Sequence, residues 1–243
     1  MKEWITGRNP VFEVLRAKRR HAFRLFALRG MRMEGHLPEI VEMAKARKLP
    51  IHEVQRFELD KIERNNQGIA IEVSEYPYRP LDDLIKHSQS TGEASFFLLL
   101  DTIQDPQNLG TLLRTAEIMG VHGVIIPSAK SALITPSVVA SSSGASEHLL
   151  VSQFNLAQAI DRLKELDIWV YGLDEDERSR TPAQLNLKGG IAIVVGNEGT
   201  GLRSLVRKKC DEIMRIPQYG KIDSLNAAVA GSIAIYLARQ ARV

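Results

Sequence analysis

Two polar side chains stand at the start of a helix that follows a strongly apolar segment. The segment Phe96–Leu100 is apolar throughout, and Asn108 and Arg114 follow it, six residues apart. Six helical residues span about 9 Å, and helical side chains lean toward the N-terminus, so the Arg114 guanidinium can reach back toward Asn108. Such a pair can hold a polar or anionic ligand. A helix cap and a surface arginine are the alternative interpretation.

The turn at residues 196–201 is rich in glycine and follows a second apolar segment, Ile191–Val195. Glycine lets the backbone approach a ligand closely. No Gly-Lys-Ser/Thr follows, which excludes a P-loop, and the order of the glycines differs from the dinucleotide-binding fingerprint. Glu198 inside the turn would repel a pyrophosphate, so we expect a cationic or hydroxyl-bearing ligand here.

A third polar turn, at residues 216–226, leads into the last helix. Asp223 or Ser224 is expected to cap that helix, so that Asn226 is not needed as a cap. The helix itself is rich in alanine, glycine and serine, which permits close packing. It can pack against the sheet or against a second subunit, and the sequence does not choose between them.

The elements that position these turns form an α/β pattern. From residue 95 onward apolar segments alternate with helices, and strands that are apolar on both faces indicate a parallel sheet covered by helices on each side. Ligands bind beyond the carboxyl ends of such strands, which is where the three turns lie. The expected strands are 96–100, 121–126, 168–171, 191–195 and 213–216, and the expected helices are 109–119, 156–166 and 225–238.

The first third of the chain predicts a separate, small α/β sandwich. Two prolines within residues 74–80 disfavour both a helix and a central strand, so we place the domain boundary there. The predicted division is a domain at 1–75, a linker at 76–94 that contains a short polar helix, and a second domain at 95–243. The elements expected in the first domain are helices at 11–18, 38–47 and 57–62 and strands at 23–28, 51–54 and 68–73.

Composition and charge narrow the class of protein. The chain has 243 residues, 44% of them apolar and 25% charged, as folded proteins do. Residues 1–75 hold 15 Lys/Arg and 11 Asp/Glu, a net charge of +4, which suits nucleic-acid phosphates or simply a solvated helix face. The single cysteine, Cys210, and the lack of a signal peptide or of an apolar run long enough to span a membrane favour a cytoplasmic protein.

The three turns carry motifs that are informative together. In chain order they are Asp-Pro-Gln-Asn-Leu-Gly at 105–110 with Arg114, Gly-Asn-Glu-Gly-Thr-Gly at 196–201, and Ser-Leu-Asn at 224–226. Together they resemble the SpoU (TrmH) branch of the SPOUT RNA methyltransferases. The segments 6–11 and 66–70 are similar to the L30e-like RNA-binding domain of the RlmB-type members of that family.

This resemblance implies a fold, a cofactor and partners. The second domain would be a SPOUT-type α/β-knot domain with a C-terminal trefoil knot, an exception to the rule that chains do not thread loops. S-adenosylmethionine would bind near Gly196, Ile216 and Leu225, and the enzyme would be a homodimer. The product would be a ribose 2′-O-methyl nucleotide, in RlmB-type members a guanosine of 23S ribosomal RNA; transfer RNA is the alternative substrate.

The resemblance also implies the active-site residues. They are, by position in the motifs, Asn108, Arg114, Glu198, Ser224 and Asn226. Arg114 would act as the base or, because a guanidinium stays protonated at neutral pH, as a binder of the target phosphate that lowers the pKa of the hydroxyl. The amides and Ser224 suit hydrogen-bond positioning, whereas Glu198 either holds a loop or faces the sulfonium.

Other polar groups are expected to have ordinary structural roles. The six histidines lack metal-ligand spacing, so no metal site is expected. The acidic run 174–177 reads as a solvated loop that pairs with Arg178 and Arg180, and the serine-rich run 141–145 reads as packing or an RNA contact. Tyr76 and Tyr78 are expected to pack in the core or the linker, although they could stack on bases, as Tyr219 could.

Two other classes of function stay open beside the methyltransferase. One is a catalytically inert RNA-binding or ribosome-assembly factor with the same fold. The other is a small-molecule enzyme that binds a nucleotide at the glycine-rich turn. The missing phosphate-binding patterns speak against the second of these.

Overall fold

The structure is a computed structural model that describes residues 2–222 and 224–242. Within those residues, the strands are β1 (Lys2–Thr6), β2 (Ala22–Leu28), β3 (Ile51–Val54), β4 (Ile69–Ser74), β5 (Phe96–Leu100), β6 (Gly123–Ile126), β7 (Val151–Gln153), β8 (Trp169–Leu173), β9 (Ile191–Val195) and β10 (Glu212–Met214). The α-helices are α1 (Arg8–Ala17), α2 (Leu37–Ala46), α3 (Arg56–Asp60), α4 (Leu81–Ser90), α5 (Pro106–Ile118), α6 (Pro136–Ser141), α7 (Leu156–Lys164), α8 (Ser204–Lys209) and α9 (Ala227–Gln240).

The chain folds into two compact units. The first contains Met1–Pro77 and Leu133–His148, and the second contains Tyr78–Ala132 and Leu149–Val243. The grouping differs from the predicted segments at two places. Helix α4, in the predicted linker, belongs to the second unit, and α6 belongs to the first.

The first unit is built on a four-stranded mixed sheet with the strand order β1-β4-β2-β3. β4 runs antiparallel to both of its neighbours, and β2 is parallel to β3. The inward residues Ile5, Leu25 and Ile71 are completely buried, as are Val11 and Leu15 of α1. The predicted α/β sandwich is therefore present, but β1 was not predicted.

The second unit contains a six-stranded sheet with the order β10-β8-β9-β5-β6-β7, and all of its strand pairs are parallel. This confirms the predicted parallel α/β fold. The two central strands, β5 and β9, are buried along their whole length. Their boundaries match the prediction because a strand that is apolar on both faces is distinct from its polar flanks.

Helices cover both faces of this sheet. On one face Phe97 and Val194 belong to a core cluster that includes Leu84 of α4, Ile160 of α7 and Val206 of α8. On the other face α9 packs against β9 and α5. Gly231 permits this contact, since an added Cβ would lie 2.6 Å from Leu112 and 3.0 Å from Val195. This close packing brings the start of α9 near the starts of α5 and of the glycine-rich turn.

None of the described helices combines the length and the apolar character that are needed to cross a bilayer.

Candidate active site

Three turns meet beyond the carboxyl ends of neighbouring strands of the second unit. Strand β9 lies between β5 and β8, and β10 lies next to β8. The loops that follow β5, β9 and β10 therefore leave the sheet at one edge. This is the edge where ligands bind in open α/β sheets.

The three turns are joined by direct side-chain hydrogen bonds. The Asn108 amide donates to a Glu198 carboxylate oxygen at 3.0 Å. The Asn226 side-chain Nδ2 donates to Asn108 Oδ1 at 3.0 Å and also to the same Glu198 oxygen. One residue from each turn thus takes part in a closed polar cluster, although the residues are 90 and 118 positions apart in the chain.

Asn108 is available for this cluster because another residue caps its helix. The Asp105 carboxylate accepts hydrogen bonds from the backbone N–H groups of Gln107 and Asn108, at 3.1 and 3.3 Å. Pro106 occupies the first helical turn, where its missing N–H costs nothing. The amide of Asn108 is therefore not used as a cap, in contrast to the alternative interpretation of its position.

The last helix is capped by Asn226, which corrects the prediction of a cap at Asp223 or Ser224. The side-chain oxygen Oδ1 of Asn226 accepts from the backbone N–H groups of Ala228 and Val229 at 2.9 and 3.1 Å. Asp223 lies outside the described residues. Because Asn has both an acceptor and a donor, one side chain caps α9 and binds Asn108 and Glu198.

The glycine-rich turn is held closed by its own backbone. Asn197 and Gly201 exchange two hydrogen bonds, of 3.1 and 2.9 Å. A Cβ at Gly196 would lie 2.5 Å from the Gly201 backbone, so no other residue fits there without opening the turn. The Asn197 amide also donates to the Thr102 carbonyl oxygen at 3.1 Å, which fixes the turn against the loop after β5.

Asp101, at the end of β5, fixes the residues that follow the glycine-rich turn. Its carboxylate is completely buried and accepts from the Arg203 backbone N–H at 2.8 Å and from Arg203 Nε at 2.6 Å. This pair ties the end of one central strand to the residue that precedes α8. None of Asp101, Asn197 and Arg203 was predicted as a site residue, because their roles depend on tertiary contacts.

A cavity of about 200 Å³ lies beside the polar cluster. It brings together five of the predicted site residues, two of them predicted as catalytic and three as cofactor-binding: Gly196, Glu198, Ile216, Ser224 and Leu225. Ala227 and Ala230 of α9 are also in its lining. The cavity therefore combines a glycine turn, apolar side chains and a carboxylate.

The acidic run after β8 also contributes to this cavity. Asp174 and Glu175 line it, and Arg207 binds both Asp174 and Asp176, at 3.2 and 2.6 Å. The predicted solvated loop is confirmed for Glu175, which is exposed, whereas Asp174 is half-buried. The predicted pairing is wrong for both: Asp174 pairs with Arg207, and Glu175 pairs with Arg215 at 4.0 Å. In the sequence, a run of four acids after a strand resembles a surface loop. Its position beside the cavity follows from the strand order, which places β8 next to β9.

Arg114 occupies a different position from the other predicted catalytic residues. It lies on the exposed surface of α5, about two turns beyond Asn108. It takes no part in the three hydrogen bonds that join Asn108, Glu198 and Asn226. The neighbouring Thr115 binds Ser232 of α9 at 2.9 Å, so this part of α5 faces the last helix.

Tyr76 and Ser142 are buried, which agrees with the packing roles expected for them. Tyr76 is buried and donates to the Ser146 carbonyl oxygen at 3.0 Å, and burial raises its pKa to about 12. Ser142 is buried within the serine-rich run. Tyr219, by contrast, is 96% exposed. Among the described residues, no three His, Cys, Asp or Glu side chains are grouped to hold a metal ion.

Two family models match the chain. The SpoU rRNA methylase family matches residues 95–236, and a model described as RNA 2′-O ribose methyltransferase substrate binding matches residues 4–79. The first match covers the three turns, and the second covers most of the basic first third.

Curated relatives are similar over nearly the whole chain. YacO of Bacillus subtilis, which is named as a TrmH family tRNA/rRNA methyltransferase, is 37% identical over 96% of this chain and 94% of its own. A tRNA/rRNA methyltransferase of Mycolicibacterium vanbaalenii is 39% identical over 99% of this chain and 77% of its own.

Solved structures share the fold. An AdoMet-bound rRNA methyltransferase from Sinorhizobium meliloti has a TM-score of 0.81 at 25% identity, and the match covers 98% of this chain and 87% of that one. The SpoU methyltransferase AviRb from Streptomyces viridochromogenes has the same TM-score at 22% identity, with 98% and 89% covered.

Proposed function

The chain belongs to the SpoU rRNA methylase family of RNA methyltransferases, and we propose that it methylates a ribose 2′-hydroxyl with S-adenosylmethionine as the methyl donor. The most specific form of the proposal is a guanosine of 23S ribosomal RNA as the target. Residues 1–75 act in this proposal as an L30e-like RNA-binding domain, since residues 4–79 match the substrate-binding family model.

The observation that carries the proposal is the closed cluster of Asn108, Glu198 and Asn226 at the edge of the cavity. Methyl transfer to a hydroxyl is an in-line displacement, and the protein must mainly hold donor and acceptor in that line. Correct positioning supplies about 7–11 kcal/mol of such a barrier. Three side chains that fix one another have little freedom and suit this task.

The lining of the cavity fits S-adenosylmethionine. Gly196 lets the turn close on Gly201, Ile216 and Leu225 supply apolar contacts, and Asp174 and Glu198 supply negative charge. When bound, the cofactor supplies a methyl group activated by a positively charged sulfonium. The carboxylates complement that positive charge, which explains why an acidic residue stands in a glycine-rich turn.

Arg114 is proposed to act on the RNA. An arginine guanidinium is cationic and can bind a phosphate through two parallel hydrogen bonds. A phosphate held in this way would orient the ribose and lower the pKa of its 2′-hydroxyl. Ser224 and Asn108 are proposed as hydrogen-bond partners of the acceptor nucleotide.

We also propose that the protein is a homodimer, because apolar side chains are exposed on α5 and α9. Ile118 of α5 and Val229 and Tyr236 of α9 are 63%, 45% and 48% exposed, on two helices that pack together. Exposed apolar groups clustered in this way are typical of a surface that another chain covers. The trefoil knot stays a prediction of the family resemblance.

Incubation with labelled S-adenosylmethionine and undermethylated RNA tests the function. We expect label in ribosomal RNA, at a 2′-O position that resists alkaline cleavage, and none in transfer RNA. Label in transfer RNA alone would move the target to the alternative substrate. Binding of RNA and cofactor with no transfer would indicate an inert RNA-binding factor.

Replacement of Arg114 tests its role in the same assay. Arg114→Lys keeps the charge but loses the bidentate geometry, so we expect kcat to fall at least tenfold while the affinity for S-adenosylmethionine is unchanged. A variant that retains most of its kcat across the pH range would rule out both proposed roles for Arg114.

A further inference from the structure

One face of the sheet in the first unit carries an unusual set of side chains. Trp4 pairs with Glu72 across β1 and β4, and Glu72 pairs with Arg24 across β4 and β2. Phe26 pairs with His52 across β2 and β3. Side chains that are directly paired, or two residues apart on one strand, point to the same side of a sheet. We call this surface the aromatic face; it consists of Lys2, Trp4, Arg24, Phe26, His52 and Glu72.

The rings of the aromatic face touch one another and carry a guanidinium. The centroids of Trp4 and Phe26 are 4.8 Å apart, and those of Phe26 and His52 are 5.6 Å apart. The Arg24 guanidinium lies 5.3 Å from the Trp4 centroid and 5.2 Å from the Phe26 centroid. Glu72 holds it there through bonds of 2.9 and 3.3 Å. The Arg24 side chain is still 43% exposed, which leaves a flat, cationic surface open to solvent.

This face is covered much less than the opposite one. Among the described residues, its buried core consists of Val54, Leu59 and Ala70, near the five-residue helix α3. Trp4 and Phe26 pack against this small core and are only partly buried. Aromatic rings and an arginine left at the surface of a four-stranded sheet suit base stacking, which every RNA base permits.

Charge beside the aromatic face also favours RNA. Leu28, which packs with Phe26 against the same small core, also lines a cavity of about 430 Å³ together with Arg8 and Arg56. The Nε atom of Arg8 is buried and has no hydrogen-bond partner among the described residues. A buried N–H without an acceptor is costly, and a phosphate oxygen would satisfy it. The stacking rings and an arginine N–H without an acceptor thus both lie close to Leu28.

We propose that the aromatic face binds a single-stranded segment of the RNA substrate, with bases stacked on Trp4, Phe26 and the Arg24 guanidinium. The inference rests on the proposed function, which makes RNA the substrate, but it adds where and how the first unit holds it. The segment would be unpaired, because bases within a duplex are not available for stacking on protein side chains.

Fluorescence of Trp4 in the whole protein tests the contact directly. The chain has two tryptophans, and Trp169 lies in the second unit, so the Trp169→Phe variant leaves Trp4 as the reporter. We expect saturable quenching when an unstructured oligouridylate or oligoadenylate of about twelve nucleotides is added. An oligonucleotide that binds without any change in Trp4 emission would overturn the proposal.

Aromatic-to-aliphatic variants test the contribution of the rings to affinity. Trp4→Leu and Phe26→Leu keep an apolar side chain over the small core but remove the stacking surface, and thermal unfolding verifies that they fold. We expect each to bind a labelled oligonucleotide about 5- to 100-fold more weakly. Phe57→Leu is the matched control: Phe57 lies in the same unit, is 59% exposed and has Lys61 5.2 Å from its ring centroid. Equal losses in all three variants would contradict a specific aromatic face.

Methyl-transfer kinetics separate this inference from the proposed function. If both hold, Trp4→Leu and Phe26→Leu raise KM for the RNA and leave kcat unchanged. If the wild type transfers no methyl group but oligonucleotides quench Trp4, the proposed function fails and the aromatic face stands. If the wild type methylates RNA and neither variant changes KM, the aromatic face is wrong while the function holds.

Discussion

Asn226 performs two tasks with a single side chain. Its carbonyl oxygen caps α9, and its amide nitrogen donates to Asn108 and Glu198. The stability of the last helix and the geometry of the site therefore depend on the same group. Substitutions at this position can separate the two tasks, because an acceptor alone is sufficient for a cap.

Asn226→Asp should retain the cap of α9 but lose the hydrogen bonds that Asn226 donates to Asn108 and Glu198. A carboxylate still accepts from Ala228 and Val229, but it cannot donate, and it would repel Glu198. We expect kcat to fall about 100-fold, as misplacement of a positioned group does, with little change in the free energy of unfolding. Asn226→Ala should lose about 1 kcal/mol of stability in addition, measured by urea unfolding. An Asn226→Asp enzyme with kcat within twofold of the wild type would contradict the positioning role.

Single residues also show how much of a site can be predicted from a sequence. Asn108, Glu198 and Asn226 were identified because they fall in short motifs at the starts of helices or in a glycine turn. Asp174 and Glu175 were missed, because an acidic run after a strand has the same composition whether it borders a cavity or solvent. Their location depends on the sheet order β10-β8-β9, which places the end of β8 beside the end of β9.

The glycine-rich turn after β9 leaves no room for a side chain at Gly196. Gly196→Ala should weaken binding of S-adenosylmethionine at least tenfold, since the added Cβ would lie 2.5 Å from the Gly201 backbone and force the turn open. Isothermal titration measures this. Gly199→Ala is the matched control in the same turn: its Cβ would meet no atom closer than Asn197 Oδ1 at 3.7 Å, so we expect nearly unchanged affinity. Equal affinity in both variants would show that the turn is not part of the cofactor site.

Histidine 122 connects two elements at the other end of the sheet. Its Nδ1 atom accepts from the backbone N–H of Phe96, the first residue of β5, at 3.1 Å. The ring must be neutral at Nδ1 to accept this bond, and burial of the ring lowers the pKa of His122 below its ordinary value of 6.5. The unfolded chain therefore binds a proton more readily than the folded chain does.

The stability contributed at His122 should consequently be present above about pH 6.5 and decrease as the pH falls below it. His122→Asn, in which the amide oxygen can accept the same hydrogen bond, removes the titrating group. We expect the free energy of unfolding of the wild type, relative to this variant, to decline between pH 6.5 and pH 5.5. Parallel pH profiles of the two proteins would show that His122 titrates normally.

Strands and helices were predicted more accurately when more of their residues are buried. β5 and β9 were predicted to the residue because both of their faces are apolar. β1 was missed because, of its five residues, only Ile5 is fully buried, and Lys2 and Glu3 resemble a polar terminus. β7 and α6 were missed because three and six residues are too few for a period to emerge. Edge strands and short helices depend on partners that lie far away in the chain.

The segment Leu133–His148 packs in the first unit, although it comes later in the chain than the start of the second unit. Glu147 is buried and binds the buried Arg20 at 2.9 Å, and Arg20 also binds Glu3 at 2.7 Å. His148 binds Glu13 of α1 at 2.6 Å. Burial raises the pKa of Glu147, and the Arg20 guanidinium opposes this shift.

Arg20→Met should therefore destabilise the protein strongly. It leaves the Glu147 carboxylate buried without its cation, which costs about 3–5 kcal/mol in comparable sites. The loss should be larger at pH 7.5 than at pH 5, since the pKa of Glu147 rises further without Arg20 and protonation then removes the buried charge. Urea unfolding at both pH values measures this.

Arg16→Met is the control for the loss of an arginine near the end of α1. Arg16 binds Glu13 at 3.3 Å on the same helix, but its side chain is 63% exposed. An exposed pair of this kind contributes well under 1 kcal/mol. Similar losses in the Arg16 and Arg20 variants would contradict the importance of the buried pair.

The placement of Leu133–His148 has a consequence for synthesis of the chain. A nascent polypeptide that has reached Pro77 lacks a part of its own first unit, which is encoded 56 to 71 residues later. At roughly 5–20 residues per second, the ribosome needs about 4–14 s to deliver the missing piece. During that interval Arg20 has no Glu147 to bind. The first unit therefore cannot complete its folding on the ribosome before the chain has been translated as far as His148.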